Sequence, residues 1–373
     1  METLAAVLEE TGGPLTFRTL TLDDPAPGEV AVKIAATGVC ASDAHTISGR
    51  IPSPLPAVLG HEGAGVVTAV GAGVAHVAAG DHVALSWLPS CGRCRYCQAG
   101  RPVLCAASAP ALLGGTLLDG TVRLHDGGRD VYHYSFLSTF AEHTVVPAAS
   151  AIKIPDSVPL PVAALAGCGV LTGYGAVVNR ARVAPGDAVL VYGAGGVGLS
   201  AIMAAKLSGA DHIVVVEPHP GKRDGATVFG ATRVLSPDDN VVAEVRALTG
   251  GQGADVTIDA VGKEGLLEQA FDATAPGGTV VCVGVPAATA YASVPAARFV
   301  REEKYLTGSL YGSSRPTQDI PKLLNLFHTG KLPIDKLISK TYAFGEINTA
   351  FADLTGGSNR RGVVIVDEEL AGR

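Results

Sequence analysis

This sequence is short of charge, and of positive charge in particular. Lysine and arginine number 28 against 35 aspartates and glutamates, charged residues are 17% of the 373, and the formal net charge is −7. That balance argues against nucleic acid as a partner, because phosphate contacts need a basic surface. The chain also lacks any run of 18 uninterrupted apolar residues, and its start has no basic stretch leading into an apolar segment and a small-residue cleavage site. The expectation is a soluble, cytoplasmic protein with no membrane partner. Disorder is excluded from the other direction, since 47% of residues are hydrophobic and a large core is within reach. The 47 glycines and 23 prolines then mark tight turns, not a linker.

Cysteine is unevenly placed. Four of the seven fall in "CGRCRYCQAGRPVLC", as Cys91, Cys94, Cys97 and Cys105. Disulfides do not suit a reducing compartment, and no strand–helix context supports a thioredoxin-like reading of "CGRC". Four thiolates at this spacing wrap one tetrahedral zinc in a short lobe and leave no coordination position open, which is the structural pattern. Cys282, in "GTVVCVGVP", reads as a buried strand residue. Cys40 and Cys168 lie beside glycines at the ends of apolar segments, and His61–Glu62 sits between them in "VLGHEGAG". Two cysteines and a histidine would give a zinc three ligands and one open position, the catalytic pattern; spacing alone leaves open whether they meet.

From about residue 186 the texture changes. "AVLVYGAGGVGLSAIMAAKLSGA" reads as a strand, a glycine turn (Gly193, Gly195, Gly196, Val197, Gly198) and an amphipathic helix, followed by the strand "HIVVVEP". This is the dinucleotide fingerprint in its proper context, with glycines that let backbone amides approach a pyrophosphate. Glu217 ends the second strand, where a carboxylate accepts both ribose hydroxyls and repels a 2′-phosphate. NAD is therefore expected over NADP, although Lys222 and Arg223 lie close by. Strands at "ATRVL", "ADVTIDAVG", "GTVVCVGVP" and "KYLTGSLYG" complete a six-stranded doubly wound sheet. Before residue 170 the sequence is rich in short valine strands between Gly and Pro turns. The final segment, with "GVVIVDE", is too short for a domain of its own and is expected to return to the first.

These residues together resemble the zinc-dependent medium-chain alcohol dehydrogenases. The likeness runs through "GVCASDAH", "GHEGAGVV", "CGRCRYCQAGRPVLC", "GCGVLTGYGA" and "VYGAGGVGLSA", in the family's order. The segment from "GTLLDGTVRL" to "STFAEHTVV" looks like the longer loop of the animal-type dimeric branch. The resemblance implies an α/β plus β-rich fold: a GroES-like catalytic domain (1–169 and 311–373, with the zinc lobe at 91–105) and an inserted Rossmann domain (170–310), with the active site in the cleft between them. It implies two zincs per chain, one catalytic on Cys40, His61 and Cys168 with Glu62 nearby, and one structural on Cys91, Cys94, Cys97 and Cys105. It further implies that Asp43 orients His61, that Thr172, Lys222 and Arg361 contact the coenzyme, and that the chain forms a homodimer through its Rossmann sheets. Ser42 and His45 match the family's proton relay, in which the proton of a zinc-bound alkoxide's alcohol passes to Ser42, through a nicotinamide ribose hydroxyl to His45, and on to solvent.

Two departures bear on function. Ala41 stands where many members carry Arg or His against the pyrophosphate, so weaker coenzyme binding is expected. Ala109 stands where the glutathione-linked formaldehyde dehydrogenases carry an arginine, so that activity is not expected, while another thiol carrier stays open. The resemblance lines a substrate pocket with Trp87, Leu104, Pro110, Tyr134, Val285 and Leu310, which favours a hydrophobic primary alcohol or aldehyde; the Tyr134 and Ser135 hydroxyls are further candidates to meet a substrate oxygen. Rival readings are a same-fold reductase of an activated double bond or iminium, which would lack the relay, and a non-catalytic zinc- and nucleotide-binding protein, which would not keep ligands and relay together.

Overall fold

A computed structural model describes residues 1–287, 289–357 and 359–372. By its internal contacts the chain divides into two compact units, one formed by Met1–Cys168, Arg315–His328 and Ile334–Arg373, the other by Gly169–Ser314 and Thr329–Pro333.

The first unit is built from short, valine-rich strands. Glu2–Leu8, Leu15–Leu22, Leu124–Asp126, Arg129–His133 and Ala57–Val58 close into a barrel. A second sheet runs in the order Ala151–Lys153, His82–Leu85, Gly63–Val70, Glu29–Gly38, Gly362–Ile365 and Lys340–Ala343, and His143–Pro147 also pairs with Glu29–Gly38. Strand Glu29–Gly38 is buried on both faces over nearly its whole length, as its continuous apolar sequence requires. The C-terminal strand Gly362–Ile365 pairs antiparallel with it, Val363 opposite Gly38, so the end of the chain completes the sheet begun at its start.

The second unit holds a six-stranded parallel sheet. Numbered in chain order from Ala188–Tyr192, its strands lie in the order third, second, first, fourth, fifth, sixth, the doubly wound arrangement whose order reverses beside the first strand. Leu190, Val214, Val216, Leu235, Ala270 and Val280 belong to its core. Helix Gly196–Leu207, expected to be amphipathic, is buried on nearly every side from Gly198 to Ala205. Its small residues let neighbouring elements close over it, so a polar face never forms.

Residues 160–181 form one helical run whose turns widen to π geometry at Ala166–Val170 and again at Ala176–Ala181. Length and mean hydropathy would let it cross a membrane, but 83% of its most apolar window is buried within the protein. It behaves as a core helix.

Candidate active site and zinc centres

The four clustered cysteines converge. The chain from Cys91 to Cys105 turns through a short helix, Arg95–Gln98, and a 3-10 turn, Pro102–Leu104. Their sulfurs lie within 4.8 Å of one another, with Cys94 and Cys97 Sγ 3.5 Å apart and the Cys91 N–H donating to Cys105 Sγ at 3.3 Å. Backbone N–H groups of Cys97 and Ala106 aim at Cys94 and lower its thiol to about 6. Stabilised thiolates in a four-sulfur cage are what a closed zinc site needs.

The second group assembles from three parts of the first unit. Cys40 follows strand Glu29–Gly38 and directly precedes helix Ala41–Ile47. His61 and Glu62 lie on the turn between Ala57–Val58 and Gly63–Val70. Cys168 lies in the π-helical turn Ala166–Val170, the kind of widened turn that re-aims a side chain at functional sites. The donor atoms of Cys40, His61, Glu62 and Cys168 are all within 4.8 Å of one another, and all four residues are buried. His61 Nδ1 is 3.0 Å from Asp43 Oδ1, which also accepts from Gly60 N at 3.1 Å. Its Nε2 is buried with no hydrogen-bond partner among the described residues. A buried imidazole nitrogen left without a partner beside two thiols fits a metal ligand, with Asp43 fixing the tautomer.

The electrostatics agree with that fit. Burial opposes a charge on His61, but Asp43 and Cys40 outweigh it and raise the imidazole to about 10. Contact with Cys168, together with His61 and Arg361, holds Cys40 well below the usual thiol range against the pull of burial. Cys40 is thus biased toward its thiolate and His61 toward its protonated form, and a cation taking that place would compete with the proton. Glu62 is paired with Arg361, whose guanidinium also donates to the Val39 carbonyl at 3.2 Å; the second Glu62 oxygen, Oε1, is buried without a partner. Gly38 makes room for this pair, because a β-carbon there would fall on Glu62 Oε2. Arg361, expected at the coenzyme, is thus buried in this ion pair.

Around the cluster, Trp87 and Tyr134 stand edge-on to the His61 ring, at centroid distances of 6.4 and 5.7 Å. Helix Ala41–Ile47 carries Ser42 and His45, both half-buried, and Ala41, exposed. His45 Nε2 is 3.5 Å from the Arg50 guanidinium. The Tyr134 hydroxyl, considered above for a substrate oxygen, is instead engaged with Thr46 and the Ser42 carbonyl. Leu104 is half-buried, and Ala109 and Pro110 are exposed. Val285 and Leu310 belong to the other unit, where both are exposed.

In the second unit, Gly193 turns the chain with φ of 92°, and Gly198 lets it close, since a β-carbon there would strike the Gly193 carbonyl. Gly195 caps helix Gly196–Leu207, with Gly196 and Val197 in its first turn. Glu217 is 4% exposed and both its oxygens take backbone N–H groups, from Ala194 at 2.8 Å and His219 at 3.0 Å. It therefore ties the glycine turn to the second strand, an anchoring role that its sequence position did not announce. Lys222 and Arg223 lie in the first turns of helix Pro220–Phe229, and Arg223 donates to the carbonyls of Glu217 and Pro218. Thr172 is buried in this unit. Cys282 ends its strand half-buried, not fully buried as expected, and burial beside Asp259 raises its thiol to about 11. Sequence reading missed Asp259, buried at the end of strand Ala254–Asp259, which accepts the N–H groups of Val261 and Gly262; an acid just before "AVG" was its signal. It also missed Thr46 and Arg50, whose residue types carry no motif.

Comparison with known proteins places these units. Residues 26–156 match the alcohol dehydrogenase GroES-like domain, and residues 196–329 match the zinc-binding dehydrogenase family. The chain is 40% identical over 370 residues to the NDMA-dependent alcohol dehydrogenase of Amycolatopsis methanolica, covering 98% of this chain and 99% of that protein. It is 38% identical over 374 residues to the S-(hydroxymethyl)glutathione dehydrogenase of Saccharomyces cerevisiae, covering 98% and 96%. Among solved structures, the benzyl alcohol dehydrogenase of Acinetobacter calcoaceticus matches with a TM-score of 0.94 at 33% identity, covering 98% and 99% of the two chains.

Proposed function

This chain belongs to the zinc-containing medium-chain alcohol dehydrogenase family, and on that premise we propose that it oxidises a hydrophobic primary alcohol to the aldehyde with NAD as hydride acceptor. The observation that carries the reading is the buried Cys40–His61–Cys168 group, with the unpartnered His61 Nε2 directed at it and Ser42 and His45 on the helix that starts beside Cys40. A zinc held by Cys40, His61 and Cys168 would supply Lewis acidity to an alcohol oxygen. Two thiolates balance a divalent charge, and Arg361 balances Glu62, so the buried site need carry no net excess from these groups. Ser42 takes the hydroxyl proton and His45 hands it to solvent; burial and Arg50 lower the His45 pKa, so the ring is neutral and ready to accept at neutral pH. Trp87 and Tyr134 supply the aromatic walls.

NAD is favoured over NADP by the buried Glu217 carboxylate, since the nearest guanidinium, Arg223, is committed to backbone carbonyls. The lobe of Cys91, Cys94, Cys97 and Cys105 braces the fold around a second zinc. None of the seven cysteines is paired in a disulfide, which suits a reducing cytoplasm. A second copy of the chain is proposed to pair along the open edge strand Tyr305–Gly308, where Tyr305 is 64% exposed.

The test is formation of reduced nicotinamide with benzyl and medium-chain primary alcohols, beside formaldehyde with low-molecular-weight thiols. NADP and the oxidant NDMA form control arms, the latter because a 40%-identical relative bears that name, and sedimentation reads the dimer. Thiol-independent turnover of the alcohols with NAD is expected, because residue 109 is an exposed alanine and not an arginine. Strict dependence on a thiol overturns the substrate assignment, and preference for NADP overturns the role of Glu217.

A further inference from the structure

Helix Ala41–Ile47 has seven residues and no side-chain cap, too short to be held by its own hydrogen bonds. Yet it carries both Ser42 and His45. Asp43 ties one side of it to Gly60 and His61. The other side is tied by a tyrosine. The Tyr134 hydroxyl accepts from Thr46 Oγ1 at 3.0 Å and donates to the Ser42 carbonyl at 3.4 Å, and Thr46 Oγ1 is 3.2 Å from that same carbonyl. This triangle of oxygens is closed in the interior: Thr46 is 3% exposed and Tyr134 9%.

Tyr134 is itself fixed from behind. Its N–H donates to Ser138 Oγ at 3.2 Å, and Ser138 Oγ is 3.2 Å from His133 Nδ1. The Arg123 N–H donates to His133 Nε2 at 3.1 Å, so Nδ1 carries the ring proton. Burial lowers His133 to about 3 and keeps it neutral. The Arg123 guanidinium grips Glu29 through two bonds, at 2.9 and 2.7 Å. Ser135, Phe136 and Ser138 adopt left-handed φ values of 51°, 63° and 49°, which are costly for residues other than glycine and persist only where neighbours over-determine them. The network from Glu29 to Ser138 provides that determination and sets where the tyrosine hydroxyl points.

We infer that Tyr134, together with Thr46, is a positioning residue for the Ser42 end of the proton path, acting through the Ser42 backbone and not on the substrate. This rests on the Ser42–His45 relay proposed above. Tyr134→Phe removes the hydroxyl and keeps the ring against His61; Thr46→Val removes the partner at nearly constant shape. In single-turnover alcohol oxidation by the zinc-loaded enzyme, each substitution is expected to lower the rate about fivefold, the worth of one hydrogen bond. The alcohol KM and two zincs per chain should be unchanged, and the double substitution should cost no more than either alone. In a His45→Gln background, itself slowed about tenfold or more, Tyr134→Phe should cost less than about twofold.

The outcomes separate. If His45→Gln leaves the rate unchanged, the relay fails and the inference falls with it. If His45→Gln slows the enzyme but Tyr134→Phe costs the same in both backgrounds, or raises the alcohol KM alone, or releases zinc, the relay stands and the inference is overturned. Should Tyr134→Phe not fold, Thr46→Val carries the same comparison.

Discussion

At the scale of single residues, the proposed relay makes His45 the group whose charge decides whether a proton can leave. Burial lowers its pKa first, the neighbouring Arg50 lowers it further, and Cys40 opposes them. The sign follows directly: below its pKa His45 is already protonated and cannot accept, so kcat/KM for alcohol oxidation falls on the acid side of a limb placed below the ordinary histidine value of about 6.5. Arg50→Gln removes a nearby positive charge, stabilises the imidazolium and should move that limb to higher pH. A pH–rate profile of the two enzymes checks it; a limb that stays in place would detach His45 from the rate. The histidine was legible in "CASDAH" because a family motif carries it. Arg50 and Thr46 were not, because Thr46 meets Tyr134 only through the turn of its helix and Arg50 reaches back to His45 from the bend beyond it, and no spacing in the sequence encodes those meetings.

At the scale of elements, the legible ones were those whose sequence states its own geometry. The glycine turn and second strand appeared where expected, since Gly193 and Gly198 are demanded by backbone crowding. The cysteine lobe closed on itself because its four ligands lie within one short segment. Helix Gly196–Leu207 was misjudged because alanine and glycine give no periodicity strong enough to separate a half-buried helix from an enclosed one. The Cys40–His61–Cys168 group could be suspected but not assembled from sequence: its parts belong to a strand end, a turn and a π-widened helix. Helix Ala41–Ile47 offers a test at this scale. Its first residue, Ala41, is exposed and uncharged, at the position where the family resemblance leads one to expect a basic residue against the pyrophosphate. Ala41→Arg should tighten NADH binding about tenfold, within the range of a charge-assisted contact, as read by fluorescence titration; unchanged affinity would remove this position from coenzyme binding.

At the scale of the whole molecule, two units with separate cores carry separate tasks. One holds both groups of side chains that could hold a metal ion, and the other holds the parallel sheet with its glycine turn. The doubly wound class of that sheet was readable because helical sequence separates most of its strands, and right-handed crossovers leave few other arrangements. In the proposed enzyme the two cysteine groups divide their labour, one holding the working zinc and one bracing the fold. Zinc content and alcohol oxidation measured on the same preparations of Cys168→Ser and Cys97→Ser test this most directly. Both variants should fall from two zincs per chain to one. Cys168→Ser should keep its thermal midpoint within a few degrees and lose about a thousandfold in kcat, the scale of a Lewis acid's contribution. Cys97→Ser should unfold at a clearly lower temperature yet retain most of its kcat while folded. If instead Cys97→Ser abolishes turnover in the folded enzyme, or Cys168→Ser leaves turnover intact, the division of labour is wrong.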